Sequence, residues 1–193
     1  METKEKLFID YKDCKYFNDL ENIRDFLLEN SNKIYYEKYK NNERMSKWDN
    51  AEGGGMWSLS VYHDKGINTP FKEFDFIQNK IKNGLDCFQC FFNFIAPKTT
   101  LPKHTDTDLV SIDENGDIKI LDGFGKKLYQ CVFSIDIPSS DDKLCAFNIG
   151  DTIFTNKNGD ITIFDGNVEH YGWNYTNDWR ITMVMDLKRE IFN

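Results

Sequence analysis

Apolar and polar positions follow two rhythms along the chain. Near the amino end, Leu20, Ile23, Phe26 and Leu27 recur at helical spacing behind Asn18 and Asp19, residue types suited to cap a helix. Tyr35, Tyr36 and Tyr39 continue a looser aromatic stripe toward the same core. The glycines of AEGGG (51–55) interrupt the pattern, and MWSLSVYH (56–63) then reads as a strand. Pro70 opens FKEFDFIQNKIKNG, in which Phe74, Ile77 and Ile81 share one helical face and Gly84 is a natural carboxyl-terminal stop. From residue 87 the rhythm shortens to β-rich runs: CFQCFFNFIA, LVSI, DIKIL, LYQCVFSIDI, CAFNI, DTIFT, ITIFD, VEHYGWN and RITMVMDL. Asn-Gly pairs in DENGD (113–117) and NKNGD (156–160) lie between apolar runs and predict hairpins. Many short strands at regular intervals suggest a sandwich or barrel. The expected fold is mainly β with flanking helices, a double-layered antiparallel jelly roll over 87–189. Residues 1–86 supply a helical buttress and a first strand, all within one domain spanning 1–193.

Length agrees, since 193 residues leave room for one domain with a substantial core. The 24 Lys and Arg against 32 Asp and Glu give a net charge of −8, and no basic stripe overrides it, so nucleic acid and anionic membranes are disfavoured as partners. Residues 1–50 hold 11 acidic and 10 basic side chains, which puts nearly all of the negative charge on the β-rich part. The opening METKEKLF flanks one apolar pair with charge, unlike a signal peptide or membrane span, and the expected location is cytoplasmic. Five scattered cysteines read as reduced thiols. Cys87 and Cys90 form a lone CxxC on a strand, where positions three apart face opposite ways, and are read as buried strand thiols.

Candidate chemistry centres on the histidines, of which there are three: His63, His104 and His170. In PKHTDTD, His104 and Asp106 project from the same face of an extended segment and can share a metal ion. His170, at a strand rim in FDGNVEHYGWN, is the best third ligand. Two imidazoles and a carboxylate form the facial triad of non-heme Fe(II) oxygenases, which leaves positions open for a cosubstrate and oxygen. Arg180 follows His170 by ten residues. If VEHYGWN and RITMVMDL are neighbouring antiparallel strands, Arg180 lies across from Asn174, on the order of 13 Å along the strand from His170. A metal-chelating dicarboxylate fills such a gap, and the planar guanidinium suits its far carboxylate. His63 reads as a surface or core histidine, with substrate contact as the alternative.

The strings FNFIAPKTTLPKHTDTD, YQCVFSIDIP and GDITIFDGNVEHYGWNYTNDWRITMVMDL resemble the aspartyl/asparaginyl β-hydroxylase family of 2-oxoglutarate- and Fe(II)-dependent oxygenases. The likeness covers about residues 88–188 and implies a cupin-like double-stranded β-helix. It also implies that His104 and His170 are iron ligands, with Asp106 completing the triad, and that Arg180 holds the distal carboxylate of 2-oxoglutarate. Asn93 falls where the family places a small polar residue that touches the cosubstrate. Asp106 argues against halogenation, in which a small residue vacates the carboxylate site for a halide. Trp173 and Asn174 are expected to support the site without reacting.

By this resemblance the cofactors are Fe(II), 2-oxoglutarate and O2. The reaction is hydroxylation of an unactivated carbon of an amino acid, free or within a peptide, with succinate and CO2 as co-products. Alternatives are a non-catalytic cupin-like module that binds metal or ligand, a related oxygenase acting on a lipid or other small molecule, and a zinc hydrolase, which gives Arg180 no task. Residues 107–126 are longer than the family's usual connection and are either a lid or wall for the substrate or an elongated surface hairpin. Gln130 stands near a position where animal members carry a basic residue that contacts the cosubstrate.

Overall fold

The structure, a computed structural model, describes residues 8–63, 67–68, 71–112 and 118–192. In chain order come β1 (Phe8–Ile9), α1 (Phe17–Glu29), α2 (Tyr36–Tyr39), β2 (Met45–Trp48), β3 (Glu52–Gly53), β4 (Met56–His63), β5 (Ile67–Asn68) and α3 (Asp75–Lys82). There follow β6 (Cys87–Ile95), β7 (Thr99–His104), β8 (Leu109–Ile112), β9 (Ile118–Leu121), β10 (Leu128–Asp136), β11 (Cys145–Ile149), β12 (Thr152–Phe154), β13 (Ile161–Phe164), β14 (His170–Asn174) and β15 (Arg180–Lys188). One sheet has the order β1-β13-β10-β15-β6-β4-β2, with β5 beside β4, and the other has the order β12-β11-β14-β7-β3. These layers are the expected jelly roll.

Period two decides which side chains see which compartment. On β15, Ile181, Met183, Met185 and Leu187 join a core that includes Leu20, Ile23 and Leu27 of α1 and Phe74, Ile77 and Ile81 beside or on α3. Arg180, Thr182, Val184 and Asp186 take the opposite face and line a cleft between the sheets. β6 divides likewise, Phe92 and Phe94 toward the helices and Phe91, Asn93 and Ile95 toward the cleft. Phe74, Phe92 and Phe94 are almost fully buried, and burial of such a side chain stabilises by roughly 2–3 kcal/mol. The helices therefore share a core with the strands, and no helix among the described residues is long and apolar enough to cross a membrane.

Local details depart from expectation where tertiary contacts compete. α1 begins at Phe17 with no side-chain cap, so Asn18 and Asp19 lie inside its first turn, where Asp19 accepts from Lys80 of α3 at 2.7 Å. Of the tyrosines, Tyr39 is buried and Tyr36 stacks on Trp179 with ring centroids 4.4 Å apart, but Tyr35 is exposed. β8 and β9 pair with Ile112 opposite Ile118, so the expected hairpin has its strands, while residues 113–117 of its turn lie outside the described residues. The turn at 156–160 is not a hairpin, since β12 and β13 belong to different sheets. It hands the chain between layers, with the Gly159 amide donating to the Ser134 carbonyl at 2.8 Å. All five cysteines are free and buried, yet Cys87 and Cys90 enter the same core. A register shift opposite Asp186 and Leu187 makes Phe88 the extra residue of a bulge, which resets the alternation.

Candidate metal centre and ligand cavity

A cavity of about 490 Å³ opens between the sheets. His170 of β14 is directly opposite His104 of β7, so the two imidazoles lie side by side with centroids 4.2 Å apart. Beyond β7 the Asp106 amide donates to the Gly166 carbonyl at 2.8 Å, which fixes this residue against the loop before β14. His104, Asp106 and His170 offer ligand atoms that all lie within 4.8 Å of one another.

The tautomers follow from the hydrogen bonds. His104 Nδ1 is 2.9 Å from the Pro102 carbonyl and His170 Nδ1 is 2.9 Å from the Val168 carbonyl. A carbonyl only accepts, so each Nδ1 carries the proton and each Nε2 presents a lone pair. Those lone pairs face Asp106, at 3.2 Å from His170 and 3.9 Å from His104. Such a cluster repels itself unless a cation joins it. Burial opposes charge on His170, but in the absence of a metal a proton added at Nε2 gains a hydrogen bond to Asp106 and the carboxylate's charge, which prevail and raise its pKa. Burial and then the neighbouring His170 lower that of His104. Two nitrogens and one oxygen are a fitting donor set for a divalent first-row metal.

Arg180 reaches the cavity by a route the strand pairing expected above does not provide. β14 and β15 are not neighbours; they lie in opposite sheets, and residues 175–179 carry the chain across. The Asn174 side-chain amide secures that crossing by donating to the carbonyls of Ile95, Ala96 and Asp178 at 3.1, 3.2 and 2.8 Å. Arg180 instead pairs with Ile95 of β6, and its Nη1 spans the cleft to the Ala146 carbonyl at 2.9 Å. A Cβ on Gly172 would lie 3.6 Å from that Nη1. Gly172 is two residues from His170, roughly 7 Å along the strand, about half the expected separation.

Arg180 is 5% exposed, its Nε has no hydrogen-bond partner, and no carboxylate pairs with it among the described residues. Burial pulls its pKa down. Burying an unpaired ion costs several kcal/mol, and a hydrogen bond from a charged group returns only about 1.5–3. The guanidinium is therefore set for an anion that enters the cavity. Asn93 also lines this wall, its Oδ1 accepting from Ser58 Oγ at 2.6 Å. Trp173 donates to the Asp142 carbonyl at 2.7 Å. His63 is buried against Phe88 in an edge contact, centroids 4.8 Å apart.

The profile described as Aspartyl/Asparaginyl beta-hydroxylase matches residues 18–190. The chain belongs to the aspartyl/asparaginyl β-hydroxylase family. No curated protein matches it in sequence. Among solved structures, a Pseudomonas putida prolyl-4-hydroxylase is similar at 12% identity and TM-score 0.51, over 86% of this chain and 87% of that one. A viral collagen prolyl hydroxylase from Paramecium Bursaria Chlorella virus-1, in a 2OG complex, is similar at 13% identity and TM-score 0.51, over 97% and 98%. At these identities the likeness is one of fold.

Further residues stand around this family member's candidate triad. Gln130 Nε2 donates a hydrogen bond to Asp106 Oδ2. The Trp48 ring meets His104 edge-on at 4.9 Å. Gly125 permits the 107–126 segment to return against the metal loop, because a Cβ there would fall 1.8 Å from the Asp106 carbonyl oxygen. Phe124 then packs on Phe88, centroids 4.7 Å apart. No described residue of 107–126 lines the cavity.

Proposed function

We propose that this family member is a 2-oxoglutarate- and Fe(II)-dependent dioxygenase that hydroxylates an unactivated carbon of an amino acid, free or within a peptide, releasing succinate and CO2. The observation that carries this reading is the presence, in one cavity, of a donor set that calls for a cation and a buried guanidinium that lacks an anion. His104, Asp106 and His170 would hold the metal, and Arg180 the far carboxylate of 2-oxoglutarate, with Asn93 as a further contact. When bound with oxygen, these cofactors supply the oxidation, coupling decarboxylation of 2-oxoglutarate to insertion of one oxygen atom into a C–H bond. The solved viral prolyl hydroxylase is described with 2OG, which is in keeping with this assignment.

The chain's own part is orientation and exclusion. The Pro102 and Val168 carbonyls keep both imidazoles in the ligating tautomer. Gln130 fixes one Asp106 oxygen. Val132, Phe147, Phe164 and Val184 give the cavity an apolar wall, which limits water near the reacting centre. Residues 1–193 act as one oxygenase unit, and the free cysteines fit a reducing compartment such as the cytoplasm. With Fe(II), ascorbate, 2-oxoglutarate and oxygen, the protein is expected to form succinate slowly without substrate, and His170→Ala to lose at least about 100-fold of that rate, more than 2.7 kcal/mol of barrier. Absence of succinate from the unaltered protein, or full activity in the variant, contradicts the reading.

A further inference from the structure

The triad and Arg180 leave one buried charge of the cavity without a task. Asp186 lies six residues beyond Arg180 on β15 and also lines the cavity. It is 2% exposed. Its Oδ2 accepts from Gln89 Nε2 at 2.6 Å, while Oδ1 has no hydrogen-bond partner and no basic side chain among the described residues pairs with it. Its strand neighbours on the cavity face are two amides, Gln89 on β6 and Gln130 on β10. The remaining charge felt there is that of Asp106, which repels. Nothing described in the protein itself compensates an ionised Asp186.

The cofactors do not compensate it either. A divalent metal and a dicarboxylate cancel one another, and so do Asp106 and Arg180, so an ionised Asp186 has no counter-charge on the wall until a cation enters. We infer that Asp186, held by Gln89, determines substrate specificity by receiving a cationic nitrogen of the molecule to be hydroxylated, an ammonium or guanidinium group. Gln130 stands one strand spacing from Asp186, roughly 5 Å, and holds the Asp106 carboxylate. A nitrogen bound at Asp186 therefore places the carbons a few bonds away beside the triad. The inference rests on the oxygenase reading of the same cavity.

The test uses full-length protein loaded without oxygen with Mn(II) and 2-oxoglutarate. The probes are L-lysine, L-ornithine and L-arginine, each beside its neutral counterpart norleucine, norvaline or citrulline, and all again as Nα-acetyl forms, with binding followed by calorimetry. The expected result is at least tenfold tighter binding of a probe carrying the cation than of its match without it. Preference within the lysine–norleucine type of pair assigns the nitrogen to the side chain, and preference for free over acetylated forms assigns it to the α-ammonium. Asp186→Asn, which keeps the shape and an acceptor for Gln89, should abolish the preference while leaving Mn(II) and 2-oxoglutarate affinities within twofold. No dependence on charge in the unaltered protein, a comparison that needs no variant, overturns the inference, as does a preference that survives in Asp186→Asn. Failure of the unaltered protein to bind Mn(II) with 2-oxoglutarate removes the oxygenase reading and this inference together, and the two cases are told apart by that titration.

Discussion

Asp106 is the residue on which the proposed metal centre turns, because the two histidines are fixed by strand pairing while the carboxylate sits just past the end of β7. Its backbone is tied to Gly166 and its side chain to Gln130. Such partners of ligating groups typically contribute 10- to 100-fold in metal affinity. Gln130→Leu should therefore weaken Mn(II) binding by roughly 10- to 100-fold with little change in thermal stability, as measured by calorimetry and a melting curve. Unchanged affinity would remove Gln130 from the site. That His104, Asp106, His170 and Arg180 meet in one cavity was anticipated in the sequence, because histidines are few and the spacing and family resemblance single out these four. Gln130, Trp48 and Asp186 were not, because their roles arise from neighbours on other strands, and the sequence of one strand does not name its partners.

At the scale of elements the same limit applies. Period and turn chemistry located most of the strands from β6 onward. Short strands of mixed polarity, such as β2 (MSKW) and β7 (TTLPKH), carry little apolar rhythm and were not separately predicted. Which strand lies beside which was the less legible part, as the crossing from β14 to β15 shows. Asn174 is fully buried and serves three carbonyls there, while its Oδ1 accepts from Thr176 Oγ1 at 2.7 Å. Truncation strands several buried groups, each at about 1–3 kcal/mol. Asn174→Ala should lose about 3 kcal/mol in urea unfolding and, since Arg180 follows the crossing, weaken 2-oxoglutarate binding as well. A stability loss under about 0.5 kcal/mol, within the range of an ordinary surface change, would contradict the clasp.

For the whole molecule, the acidic surplus matters most where it is buried. Burial, with the Asp106 charge adding to it, pushes the Asp186 carboxyl up to about 7. In the unfolded chain the same group releases its proton in the usual acidic range, so the folded state holds that proton more tightly. Stability from this group is full at low pH and is lost as pH rises from about 4 to about 7, opposite to a salt-bridged carboxylate. In metal-free protein, the melting temperature of Asp186→Asn relative to the unaltered chain should rise between about pH 5 and pH 8. A constant difference would mean that Asp186 ionises normally in the fold.

The central claim is that one cavity binds metal through His104, Asp106 and His170 and a dicarboxylate through Arg180. Its most direct test is an anaerobic titration of the Fe(II)-loaded protein with 2-oxoglutarate, followed by visible absorption. A charge-transfer band should grow to saturation, and Arg180→Gln should require roughly 10- to 100-fold more 2-oxoglutarate, the equivalent of a charged hydrogen bond, while Fe(II) affinity is unchanged. No band in the unaltered protein, or identical titrations for the two proteins, would contradict the claim.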